Sequence, residues 1–200
     1  MRKHWIVTLA VILLACSTAQ AAPKIGDAAP GFTLTDSKGK SHSLADFRGK
    51  YVVLEWTNNE CPFVVKHYKS GNMQAQQKEL TGKGAVWLSI ISSAPGKQGN
   101  VDGAAADQLT LSRGAAPTAV LLDPKGEVGR QYEAKTTPHM FIVAPDGKLI
   151  YAGGIDSVAS SDAADIAQAT PYVKVALTEA MAGKPVSNPS TRPYGCSVKY

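Results

Sequence analysis

The run Tyr51-Val52-Val53-Leu54-Glu55-Trp56, leading through Thr57-Asn58-Asn59-Glu60 into Cys61-Pro62, constrains the fold of this chain more than any other stretch. Its first half is β-branched and aromatic, the composition of a strand buried at the centre of a sheet. Its second half is polar, as befits a strand-end loop, and such loops are where α/β sheets build their sites. Pro62 suits the first position of a helix, because the N–H it lacks has no partner there anyway. Cys61 then falls at the helix N-cap. Free N–H donors and the positive end of the helix dipole favour a thiolate at that point. Lys66 and His67 follow along the helix and are expected to add positive potential, which Glu60 opposes. The alternative for Cys61, a small buried hydrophobe, fits the polar loop poorly. Val64 stands three positions on, where a second cysteine would make a Cys-x-x-Cys pair.

The rest of the chain surrounds this centre with regular elements. Phe32 to Thr35 and Ser41 to Leu44 flank the turn cluster Asp36-Ser37-Lys38-Gly39-Lys40 and read as a hairpin. A helical pattern runs from Pro62 to Leu80, with a break near Ser70-Gly71-Asn72. Ala85 to Ile91 and Thr118 to Leu122 are apolar core strands, the second stopped by Asp123-Pro124. Ala104 to Arg113, ending at Gly114, and Val128 to Ala134 read as helices. Met140 to Val143, Asp146-Gly147 and Leu149 to Ala152 form the clearest hairpin. A last helix covers Pro171 to Ala182, with Pro171 in its first turn and Gly183 and Pro185 after its end. Strands alternating with helices, closed by a hairpin and a helix, predict an α/β domain around a mixed sheet.

The first residues read as a targeting segment. Arg2 and Lys3 precede the apolar run Ile6 to Ala15, which is too short to span a bilayer, and Ala19-Gln20-Ala21 is a small-x-small cleavage site. Cleavage there leaves 179 residues, enough for one domain with its own core. The rival reading takes Leu13-Leu14-Ala15-Cys16 as a lipoprotein box with a lipid anchor on Cys16. Either way the chain is exported, to the periplasm or beyond, and nothing later is apolar for long enough to span a membrane. The division expected is a signal over 1–21, a domain over 22–184 and a flexible Pro- and Ser-rich tail over 185–200. Removing Arg2 and Lys3 lowers the formal charge from +5 to +3. That mild balance, without basic runs, argues against nucleic acid as a partner. Of the three cysteines, Cys16 leaves with the signal or takes the lipid. Cys61 and Cys196 remain, and an even pair in an oxidising compartment is a structural disulfide or a redox couple.

Thr136-Thr137-Pro138-His139 lies directly before the Met140 strand, where a proline after threonine is a candidate cis peptide. Taken together, the strand ending at Trp56, Cys61-Pro62 at a helix start, and Thr137-Pro138 before a hairpin and a last helix resemble the thioredoxin fold. The opening GDAAPGFTLTDSKGKSHSLADFRGKYVVLEW resembles the redoxin branch of that fold, which includes peroxiredoxins and the alkyl hydroperoxide reductase/thiol-specific antioxidant proteins. CPFVVKHY, GRQYEAKTTPHMFIVAPDGKLIYAGGID and GKPVSNPSTRPYGCSVKY resemble a peroxiredoxin-like subfamily ending in Gly-Cys-Ser-(Ile/Val)-Lys-aromatic. The resemblance covers Ala22 to Tyr200. It implies a three-layer sandwich with an N-terminal hairpin, a reactive cysteine at Cys61 and a cis-proline at Pro138, without a cofactor.

The sequence departs from that pattern where peroxide is bound. Asn58 stands where peroxiredoxins have threonine, Leu54 where they have proline, and Pro138 where an arginine is expected. Val64 rules out the thioredoxin dithiol, and Val65 rules out the Cys-x-x-x-Cys of copper-carrying relatives. His67 and His139 read as hydrogen-bonded residues rather than metal ligands. The second sulfur is expected from the far end of the chain: Cys196, resolving Cys61 after it has reacted with peroxide or a disulfide. The alternatives are a permanent Cys61–Cys196 staple in a non-catalytic binding module, and a bond from Cys196 to another molecule. In the catalytic reading Thr57, Asn58, Asn59 and Thr137 are candidates to contact the sulfur or the oxidant. A periplasmic dithiol protein is the expected reductant.

Overall fold

A computed structural model describes residues 23–200. The signal segment proposed over 1–21, its cleavage site and Cys16 lie outside the described residues. The elements, in chain order, are β1 (Thr33–Asp36), β2 (Ser41–Ser43), β3 (Val52–Trp56), α1 (Pro62–Lys69), α2 (Asn72–Gly82), β4 (Val86–Ile91) and α3 (Gly103–Ser112). They continue with β5 (Ala119–Leu122), α4 (Glu127–Gln131), β6 (Thr136–Thr137), β7 (His139–Val143), β8 (Leu149–Gly153), α5 (Tyr172–Met181) and β9 (Cys196–Ser197).

β3 lies inside a seven-stranded sheet of order β2-β1-β5-β4-β3-β7-β8. It runs parallel to β4 and antiparallel to β7, with Trp56 opposite both Ile90 and His139. All five of its residues are buried, because both faces of the sheet are covered. Alternation along the strand assigns the faces. Val53 packs with Trp87, Met140 and Ile142 beneath α1, α2 and α5. Val52, Leu54 and Trp56 pack with Leu88, Ile90, Leu121 and Phe141 on the opposite face, together with Val128 of α4 and Phe32 before β1. The result is a thioredoxin-like three-layer α/β fold with a mixed sheet, as the resemblance implies. No helix among the described residues is long and apolar enough to cross a membrane.

The structure differs from the sequence reading in three places. Pro171 is the N-cap of α5 rather than a first-turn residue, since its ψ of 85° is not helical. The stretch 163–168, which carries no clear period, forms a short 3₁₀ turn capped by Asp162. The third difference concerns the tail, which is docked rather than flexible. Ala152 of the edge strand β8 donates to Pro189 O (3.0 Å), and Thr191 N donates back to Ala152 O (3.1 Å). Further on, Val198 N donates to Lys135 O (3.2 Å), and Ala94 N donates to Lys199 O (2.7 Å). The prolines signalled freedom because they lack donors. Backbone groups of the segment, a proline carbonyl among them, instead bond to the edge strand β8 and to the loops at Lys135 and Ala94.

Candidate active site

The Cys61 loop is held by its own polar residues. Thr57 N continues the sheet by donating to Ile90 O (3.0 Å). Asn58 Oδ1 accepts from Glu60 N (2.9 Å), and its amide donates to Gln98 O (3.3 Å). The Glu60 carboxyl accepts from Gly99 N (3.0 Å), so Asn58 and Glu60 together tie the loop to the segment after β4. Arg113, stacked 4.9 Å over the Tyr68 ring, donates to Asn59 O (3.3 Å). The Asn58 side chain is thus spent on the loop. The Thr57 and Thr137 hydroxyls are buried and have no hydrogen-bond partner among the described residues.

Cys61 is the N-cap of α1, with Pro62 at the first helical position. Its carbonyl accepts from Val64 N (3.0 Å) and Val65 N (2.8 Å), the second being the first bond of the helical ladder. The Thr137–Pro138 bond is cis. The Thr137 carbonyl O is 3.0 Å from Cys61 Sγ. The other edge of Thr137 is taken by the tail: β6 and β9 pair antiparallel, Thr137 opposite Cys196. This pairing brings Cys196 Sγ to 2.6 Å from Cys61 Sγ and Cys196 N to 3.4 Å from it. Both cysteines are unbonded thiols here, Cys61 fully buried at 0% exposure and Cys196 half-buried. Gly195 permits the approach. Its φ of 135° suits glycine, and a Cβ there would drive into Thr137 O.

The electrostatics separate the two sulfurs. Burial pushes the Cys61 thiol up, but hydrogen bonds from the Cys196 side chain and the Val64 and Cys196 amides outweigh it, and the net shift is downward. Burial pushes Cys196 the other way, to about 11, helped by the bond to Cys61 and by its charge. Cys61 is therefore the stronger acid of the two.

Two neighbours expected to add positive potential at Cys61 are otherwise engaged. Lys66 is buried and turns its ammonium to Ser160 O (3.0 Å). Burial holds the His67 imidazole down at about 4, against the pull of Asp156, so it is neutral near pH 7. His139, buried beside Phe141, is likewise held at about 3 by burial and by Lys135. The sequence places Lys66 and His67 near the cysteine but does not show that they are enclosed.

The sign of the resulting pH dependence follows. An unfolded histidine titrates near 6.5, above both folded values, so the unfolded state binds protons first as the pH falls. Stability is complete above about pH 6.5 and is lost on the way down to the folded values. Between pH 7 and 4.5 the loss is about 2–3 kcal/mol per histidine. Urea midpoints at the two pH values measure it, and His67→Gln should remove part of the slope. A flat profile over that range contradicts the buried neutral assignment.

Residues that matter here and went unnoticed in the sequence are Tyr194, Asp156 and Glu55. Asp156 and Tyr194 meet across the tail–domain junction. Only Glu55 carries a sequence signal, a charge in the middle of an otherwise apolar strand.

A thioredoxin fold with a helix-capping cysteine, a cis-proline loop and a second thiol in reach defines a class of thiol-handling proteins. The AhpC/TSA family pattern matches residues 25–152, and the chain belongs to that family. The match includes Cys61 and Pro138 and stops before the tail. Thiol-disulfide oxidoreductase ResA of Geobacillus kaustophilus (strain HTA426) is 31% identical over 122 residues, 56% of this chain and 70% of that protein. Among solved structures, an uncharacterized conserved protein from Geobacillus kaustophilus superposes with a TM-score of 0.75 at 24% identity, covering 88% of this chain and 92% of that one. A hypothetical protein from Sinorhizobium meliloti 1021 gives 0.75 at 22%, covering 90% and 96%. These two likenesses fix the fold.

Proposed function

We propose that the chain is an exported thiol–disulfide oxidoreductase whose working pair is Cys61 and Cys196. The observation that carries this is the 2.6 Å approach of the two sulfurs beside the cis-proline loop. Residues 1–21 serve as the signal, cleaved after Ala21, which releases the protein into the periplasm. Residues 22–184 form the redoxin domain, and 185–200, with the Gly-Cys-Ser-Val-Lys-Tyr ending, supply the resolving thiol of a peroxiredoxin-like subtype.

The chemistry runs in two exchanges. The Cys61 thiolate attacks a disulfide, forming a mixed disulfide and expelling one substrate thiolate, which takes up a proton. Cys196, deprotonated, attacks Cys61 Sγ. The Cys61–Cys196 bond forms, the mixed disulfide breaks, and the second substrate thiolate leaves. The substrate has gained two electrons and two protons, and a dithiol protein of the same compartment returns them to the pair. Pro138 and Thr137 frame the sulfur. Asn58 and Asn59 hold the loop, and Thr57 lines a neighbouring cavity with Asn59. A disulfide is favoured over peroxide as oxidant. Asn58 replaces the peroxide-binding threonine, its amide is engaged elsewhere, and the ResA relative is by name a thiol-disulfide oxidoreductase.

Equilibrating the protein with glutathione and dithiothreitol buffers, then counting free thiols by alkylation and mass, tests the reading. A working pair is expected between about −120 and −270 mV. A value below about −300 mV marks a structural staple and defeats the proposal. One equivalent of hydrogen peroxide, added to the reduced protein, separates the oxidants. Oxidation of Cys61 within seconds would move the assignment to a peroxidase.

A further inference from the structure

Cys196 reaches Cys61 only while the tail is docked, so whatever anchors the tail governs the second exchange. The tail is fixed on both sides of Cys196. On the far side, the Tyr200 ring fills a notch against Gly126 and Gly129, with its hydroxyl donating to Ala134 O (2.7 Å) and Arg130 4.6 Å above its face. On the near side stands Tyr194, separated from Cys196 by Gly195 alone. Its ring is buried, edge-on to Phe63 at 5.9 Å with the Lys66 ammonium 5.9 Å from its centre. Its hydroxyl donates to Asp156 Oδ1 at 2.5 Å. His67 Nδ1 accepts from the Asn72 amide (2.7 Å), which leaves Nε2 as the protonated nitrogen, 3.3 Å from the same hydroxyl.

Resting on the oxidoreductase reading, we propose that Tyr194 is a positioning residue: its hydroxyl, latched on Asp156, sets how much of the time Cys196 stands over Cys61. The physical argument is one of linkage. Tyr194 belongs to the tail, whereas Asp156 and His67 belong to the domain, so this bond exists only in the docked state. Its strength enters the docking equilibrium directly, and through it the effective concentration of Cys196 at Cys61. The three-residue span from Tyr194 to Cys196 leaves almost no slack, at most about 7 Å between Cα atoms. A buried hydrogen bond to a carboxyl shifts such an equilibrium about ten- to a hundredfold. The same latch shields Cys61, which has no exposed surface. The latch thus speeds closure of the Cys61–Cys196 bond and slows the first approach of an oxidant.

Two readouts on the full chain test this. The first is the equilibrium constant of the Cys61–Cys196 disulfide against glutathione, and the second is the rate of Cys61 alkylation by iodoacetamide in the reduced protein. Tyr194→Phe and Asp156→Ala are each expected to lower the constant ten- to a hundredfold and to raise the alkylation rate by a similar factor. Asp156→Asn keeps an acceptor for the hydroxyl and is expected to stay within threefold of the parent on both. A residue that merely stabilises the domain would lower the urea midpoint and leave both ratios alone. Both readouts within twofold of the parent in Tyr194→Phe and Asp156→Ala overturn the latch. A parent pair that never equilibrates with glutathione defeats the oxidoreductase reading instead, and the alkylation ratios still decide the latch.

Discussion

Cys61→Ser is expected to abolish thiol–disulfide exchange, by at least about a thousandfold, while Cys196→Ser leaves a protein that reacts once and stops. The asymmetry comes from the site. Cys61 is the thiol whose pKa is pulled down by the donors around it, and Cys196 the one pushed up. The thiolate is the nucleophile, so only Cys61 starts the reaction at neutral pH. Serine in its place offers a hydroxyl that stays protonated in the same field. With serine at 196, the mixed disulfide on Cys61 has no internal thiol to break it and accumulates. Incubation with oxidised glutathione followed by intact mass reads both outcomes. The expected results are no adduct on Cys61→Ser, one lasting adduct on Cys196→Ser, and a transient adduct giving the internal disulfide on the parent. An adduct on Cys61→Ser at the parent's rate would make Cys196 the nucleophile and reverse the assignment.

Glu55→Ala is expected to cost about 3–6 kcal/mol. Glu55 is 0% exposed in the middle of β3. Its carboxyl accepts from Trp87 Nε1 (2.8 Å), Ser89 Oγ (2.8 Å) and Tyr68 OH (2.9 Å), with the Gln77 amide at 3.4 Å. These groups come from α1, α2 and β4, so one carboxyl joins three elements to the central strand. Alanine leaves the donors buried and unpaired, and an unpaired buried donor costs about 1–3 kcal/mol. Against a usual total stability of about 5–15 kcal/mol, that removes much of the margin. Urea unfolding of the variant and the parent at one pH, at constant m-value, measures it. A change under about 1 kcal/mol would mean that water or a rearranged side chain satisfies the donors.

What the sequence specifies follows the range of the interactions. The strand at Tyr51 to Trp56, the helix opened by Pro62, its interruption at Ser70-Gly71 and the hairpin at Asp146-Gly147 all emerge close to where they are expected. Each is specified by neighbours a few residues apart, through period, cap or turn chemistry. Cys61 stood out for the same reason, since a helix N-cap is a local feature. The identity of its neighbours was not local. His67 looked like a nearby positive charge, yet only the packing of α1 against Asp156 and the tail decides that it is enclosed and neutral. Asn58 looked like a ligand for the oxidant until the segment at Gln98 took its amide.

The tail shows where the boundary lies. Its prolines and serines carry no period, so nothing within it specifies a conformation. It is ordered by bonds to β8, β6, the segment between α4 and β6 and the loop after β4, formed by residues far away in the chain. Thus the sequence by itself determined the class of fold, the capping cysteine and the existence of a second thiol. The sequence also offered Cys196 as the partner of Cys61, beside a bond to another molecule; the tertiary structure decided between them by pairing Cys196 across Thr137, 135 positions from Cys61. The physical reason is that period and capping act over a few residues, whereas strand pairing and burial depend on surfaces that exist only once the domain has closed.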